Sequence, residues 1–204
     1  MRLAALYLRA RRTGHVLVAL CAVAVLGWLW TDTMLAVPLL RSNNRVFIPV
    51  LCFIPLLAAI VLGAAAYSPF GEVERIASLP LPTLRLAHLA ALLAWALAAL
   101  TVAAVEWQHA WAQALLARNL AGFAGLAFLG ATLLGSRVAW LVPLAFGLVA
   151  YRLGAIAPGQ FTWWAWPLQP VSHGGAAALA LGLLAGGLAA VALLGGRDCP
   201  GEVD

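Results

Sequence analysis

The chain has 204 residues, 65% of them hydrophobic and 9% charged, with a net charge of +5. A soluble domain usually carries about 25% charged residues to solvate its surface, so the composition excludes one and points to the bilayer as solvent. All twelve basic residues are arginines spread along the chain at the ends of apolar runs, which excludes a nucleic-acid partner, because that needs a clustered basic face.

In chain order, Met1–Arg12 comes first. Leu3, Leu6, Tyr7 and Ala10 recur at helical spacing while Arg2, Arg9 and Arg12 share another face. That pattern predicts an amphipathic helix lying in the inner interface, arginines toward anionic headgroups. The uncharged run Thr13–Thr31 follows. It is longer than the apolar region of a signal peptide and no A-x-A site with a soluble mature domain follows it, so it reads as the first membrane span. The second is Val46–Gly71, preceded by an outer connection with Arg41 and Arg45.

Residues 68–83 form the longest polar interruption on the inner side. Ser68 can cap a helix that opens on Pro69, a favoured first position. Phe70, Val73 and Ala77 then fall on one side, with Glu72, Glu74 and Arg75 around them. Leu79-Pro80-Leu81-Pro82 ends this short helix and Thr83 can cap the next span, Leu86–Val105. Glu72, Glu74 and Arg75 are the only dense ionic cluster, and a docking surface suits them better than catalysis.

Spans four and five read as Asn119–Ser136 and Val138–Tyr151, the latter running toward Ala157 if Arg152 snorkels. The segment 153–173, with Phe161, Trp163, Trp164 and Trp166, is too apolar for a solvated loop and too broken for one helix. Non-helical backbone at membrane depth must be buried in protein or line a cavity. The segment therefore reads as a re-entrant or interfacial pair of half-helices before the last span, Gly174–Gly196. Within that span Gly182 and Gly186 make a G-x-x-x-G, a weak packing signal in so Gly-rich a chain.

These elements predict an all-α membrane protein of six spans. With the N-terminus inside, Arg2, Arg9, Arg11, Arg12, Arg75, Arg85, Arg137 and Arg197 lie inside, and Arg41, Arg45, Arg118 and Arg152 outside. This modest positive-inside bias places both termini in the cytoplasm. The arginine-only basic set, with Ala, Leu and Gly abundant, reads as a GC-rich bacterial coding bias, hence a bacterial plasma membrane. Cys21, Cys52 and Cys199 are far apart, which argues against a disulfide framework or a metal site. His15, His88, His109 and His173 sit near predicted helix ends without ligand spacing, no catalytic motif occurs, and there is no P-loop.

Six short spans, an amphipathic N-terminal helix and a polar inner loop resemble ABC exporter permeases of the second class. Ser68-Pro69-Phe70-Gly71-Glu72-Val73-Glu74-Arg75-Ile76 looks like their coupling helix. Arg118-Asn119-Leu120-Ala121-Gly122-Phe123 has the flavour of their fourth span, and Trp163-Trp164-Ala165-Trp166-Pro167 that of their re-entrant outer helices. The resemblance implies a permease dimer of identical or different chains, exporting a lipidic, peptidic or otherwise amphipathic cargo. It also implies a separate cytoplasmic ATPase holding ATP and Mg, this chain having no cofactor and no enzymatic activity of its own. Phe70, Glu72, Val73, Glu74 and Arg75 would contact the ATPase, and Phe161, Trp163, Trp164 and Trp166 would form an outer gate. Two rival readings are the substrate-binding membrane subunit of a vitamin-type importer and an intramembrane lipid-modifying enzyme. The importer subunit would need an A-x-x-x-A face, which the first span lacks. The enzyme would have to use Glu106 and His109.

Overall fold

The computed structural model describes residues 13–30, 32–38, 45–66, 81–104, 110–157 and 159–194. They form six α-helices: α1 (Thr13–Leu29), α2 (Ile54–Ala65), α3 (Leu81–Ala103), α4 (Ala110–Leu133), α5 (Leu141–Leu153) and α6 (Gly174–Leu194). Pro55 and Pro143 each fall in the first turn of their helix, where the missing N–H breaks no ladder bond. Three helices, Thr83–Ala103, Trp111–Leu133 and Gly174–Leu194, are long and apolar enough to cross a membrane. The 17 residues of α1 and 13 of α5 reach only about 26 and 20 Å, short of a ~30 Å hydrocarbon core without their flanking turns.

The bundle is organised around α4, which packs on α2, α5 and α6 and touches α3. Phe123, Ala124, Ala127, Phe128 and Ala131 of α4 are fully buried along one face, which forms the centre of the core. Its close fit with α6 depends on glycine. A Cβ on Gly187 would lie 3.0 Å from the Gly125 Cα, and one on Gly125 would strike the Leu183 backbone. The G-x-x-x-G pair does not make this seam: nothing lies within 4 Å of a Cβ on Gly182 or Gly186.

Contacts at the helix ends fix direction. Gly27, late in α1, faces Ile54 at the start of α2; Gly63, late in α2, faces Ala139 just before α5. One end of the bundle thus gathers the ends of α1, α3 and α5 and the starts of α2, α4 and α6. That end also carries two antiparallel hairpins. β1 (Met34–Pro38) pairs with β2 (Arg45–Pro49), and β3 (Ala155–Ala157) with β4 (Gln160–Phe161).

Several expectations change. Span two does not begin at Val46. The alternation of buried Val46 and Ile48 with exposed Arg45 and Phe47 suits a strand, and the chain turns helical only through a 3-10 turn (Val50–Cys52). Span four begins earlier than Asn119, because α4 starts at Ala110 and carries Arg118 inside it. Thr83 lies within α3 and does not cap it. The pair of re-entrant half-helices is replaced by the β3–β4 hairpin and a 3-10 turn (Trp166–Leu168). Gly159, at φ 75°, supplies the left-handed turn residue, and Pro167 and Pro170 cannot donate to a helix ladder. The interfacial helix with Arg2, Arg9 and Arg12, and the coupling helix with Phe70, Glu72, Val73, Glu74 and Arg75, lie outside the described residues.

Candidate functional site

The best-defined polar construction in the bundle is where residues 154–173, here called the cap, fold down on α4. The cap first closes on itself. Thr162 N–H donates to the Gly154 carbonyl at 2.8 Å, and Gln169 Nε2 donates to the Thr162 and Phe161 carbonyls at 2.8 and 3.3 Å. At its far end His173 Nδ1 accepts the Ala176 N–H at 3.1 Å and so caps the start of α6.

Prolines leave the cap short of donors but rich in carbonyls, and α4 supplies what is missing. Arg118 Nη1 donates to the Pro170 carbonyl at 3.0 Å and Nη2 to that of Pro167 at 3.4 Å. Asn119 Nδ2 donates to the same Pro167 carbonyl at 3.2 Å, while Asn119 Oδ1 accepts Arg118 Nε, also at 3.2 Å. Both side chains are buried, Asn119 completely. Arg118 stands eight residues into α4, about 12 Å along its axis. Among the described residues the only carboxylate side chain is that of Asp32, which is exposed. The guanidinium is therefore accommodated by backbone carbonyls, consistent with the rule that irregular backbone inside an apolar layer needs every polar group satisfied.

Below these bonds sits Trp166, 1% exposed. Its ring lies 4.9 Å from Phe123 and 5.8 Å from Phe146, nearly parallel to the latter. Gly122 makes the room: a Cβ there would overlap the indole, with Cζ2 at 2.7 Å and Cζ3 at 2.8 Å. The Trp166 Nε1–H, however, finds no hydrogen-bond partner among the described residues. Beside this seat, Tyr151 donates its hydroxyl to the Cys52 carbonyl at 2.6 Å and its ring lies 4.1 Å from Phe53, tying α5 to the entry of α2.

The four cap residues singled out in the sequence therefore differ in role. Trp166 is the buried anchor, Trp164 is half-buried 6.5 Å from Phe146, Phe161 is half-buried in β4, and Trp163 is 79% exposed. Sequence reasoning missed Asn119 and Gly122 as the receptor for the cap, and placed Arg118 in an outer connection. The run Arg118-Asn119-Leu120-Ala121-Gly122-Phe123 held the signal, with two polar residues and a glycine on one helix face at positions 118, 119 and 122. Glu106 and His109 lie outside the described residues. Among the described residues no group of three or more His, Cys, Asp or Glu gathers to hold a metal. The arrangement positions backbone and excludes water; it offers no nucleophile paired with a base.

Comparison of the chain with protein-family models, with curated proteins and with solved structures gave no match.

Proposed function

We propose that the chain is a six-span permease subunit of an ATP-driven exporter, acting as a dimer with a separate cytoplasmic ATPase. The observation that carries this reading is the chemical difference between the two ends of the bundle. The cap, both hairpins and the Arg118 contacts occupy one end. The connection from α2 to α3, with the only dense ionic cluster, Glu72, Glu74 and Arg75, leaves and re-enters at the other. A protein that receives motion from a soluble partner and releases cargo on the opposite side needs such a division.

Two further features support it. The three short helices approach span length once their flanking turns are added, and a thin bundle of this kind can be accommodated by local bilayer thinning. The centre of the bundle is filled by α4, so one copy leaves no room for a pathway along its axis. Transport then requires a second copy. α3 and α6, apolar and mostly uncovered in the monomer, provide surface for both lipid and a partner chain. On this reading the cap end faces outward, the N- and C-termini are cytoplasmic, and the ionic connection docks the ATPase. Charged contacts at a wet interface give it orientation.

The test is co-purification from the native cell under gentle detergent. Wild type is expected to bring down an ATP-binding protein, and a folded Glu72→Ala, Glu74→Ala, Arg75→Ala variant is expected to lose it. If no ATPase accompanies the wild type, the permease reading fails.

A further inference from the structure

Between α1 and α3 the surface is hollowed into a groove of about 580 Å³, lined by Cys21, Trp28, Trp95, Ala99 and Val102 among others. Its walls are small and branched apolar side chains, two indoles and one thiol. We propose that this groove binds one acyl chain of a bilayer phospholipid, taken from the leaflet at the cap end.

Three observations select that occupant. The first is position. The lining residues begin at Cys21 on α1 and Trp95 on α3 and end at Trp28 and Ala103, so the groove occupies only the halves of both helices nearest the cap end. The second is length. Cys21 to Trp28 spans about 10 Å and Trp95 to Ala103 about 12 Å along their axes. A second transmembrane helix would need a seat along the whole span, whereas part of an extended hydrocarbon chain fits in this distance. The third is polarity. Apart from the Cys21 thiol and the two indoles the lining is aliphatic, with no charged group to orient an ionic ligand, and its volume lies within the ~300–1,000 Å³ usual for small-molecule sites. Trp28, at the outer end, is half exposed and marks the level where chain gives way to headgroup.

This inference rests on the membrane reading but not on the ATPase, so the two can fail separately. The full-length protein is reconstituted into phosphatidylcholine vesicles containing a phospholipid with a diazirine on one acyl chain. It is then irradiated and digested, and the adducts are mapped. Adducts are expected to concentrate on the peptides carrying Trp28 and Trp95, several-fold above those on the equally lipid-facing Leu181 and Leu193 of α6, which are 60% and 82% exposed. Filling the groove with Ala98→Phe and Ala99→Phe should remove the excess without changing adducts on α6. Uniform labelling in wild type would overturn the proposal even if the filled variant failed to fold. So would an unlabelled groove together with Cys21–Cys21 crosslinks between copies, which would assign the groove to a second chain.

Discussion

Replacing Gly122 by alanine puts a methyl group into the space of the Trp166 indole, and its cost can be worked from the geometry. The added carbon would lie within 2.8 Å of three ring atoms, and Phe123 and Phe146 leave the ring nowhere to retreat. Overpacking of this kind costs about 1–3 kcal/mol, and the overlap with three atoms puts it near the top. Alanine recovers about 1 kcal/mol in helix propensity, so Gly122→Ala should lose roughly 2 kcal/mol net. Trp166→Phe behaves differently. It gives up buried ring area but removes an N–H that has no partner, a relief of about 1–3 kcal/mol, so its net effect should be close to zero. The clashing atoms Cζ2, Cζ3 and Cη2 belong to the outer six-membered ring, beyond the reach of a phenyl. The double variant should therefore be near wild type, with a favourable coupling of about 2–3 kcal/mol between the two sites. Equilibrium unfolding in mixed micelles, followed by far-UV circular dichroism, measures all four corners of the cycle. Effects that add to within about 0.5 kcal/mol would refute the docking of Trp166 on Gly122.

Gly125→Ala should cost more than Gly122→Ala, about 3 kcal/mol, because its new carbon strikes the Leu183 backbone and α6 must move as a whole. Gly182→Leu and Gly186→Leu meet open space and should leave unfolding unchanged within about 0.5 kcal/mol, measured in the same way. Tyr151→Phe deletes the 2.6 Å bond to the Cys52 carbonyl and should lower stability by about 0.5–1.5 kcal/mol. Hydrogen exchange should localise that change to the entry of α2 rather than to α6.

Helix positions were legible wherever a run carried neither charge nor proline, because in an apolar solvent only a helix satisfies its own backbone. Gly174 begins a helix where the sequence says it should. The reading failed where a single rule stood for two situations. An arginine was taken to mark the end of a span, which holds when water is its only solvent. Arg118 instead finds the carbonyls of Pro167 and Pro170, the latter also accepting the His173 N–H, and its partners lie 49 and 52 residues away. No local pattern reports such a pairing. The cap shows the same limit. Pro158-Gly159 announces a break, but the choice between half-helices and a hairpin depended on Gln169 and Thr162 closing the turn from within. Spacing was equally blind to the glycines: Gly182 and Gly186 match the packing motif and face outward, while Gly125 and Gly187, on different helices, make the contact.

The energetics of the cap bear on how such a protein can move. Hydrogen bonds between side chain and backbone in membrane proteins average about 0.6 kcal/mol, so the three that Arg118 and Asn119 give to the cap contribute roughly 2 kcal/mol together. Those bonds alone would leave the cap open a few per cent of the time, as a two-state gate would be. Trp166 changes the balance. Withdrawing the indole forfeits its packing on Phe123, Phe146 and Gly122, and packing of this kind, not transfer from water, is what holds elements together inside a bilayer. Together the bonds and the seat hold the cap closed more firmly than the bonds alone. The cap therefore travels with α4 as one body, together with α6, whose backbone touches that of α4 at Gly125 and Gly187. Freedom to move is left to the helices least committed to this core. α1 does not pack on α4 in the way α2 and α6 do, and α3 touches it only lightly. α1 and α3 pack on each other, so this pair is the part of the bundle least tied to α4.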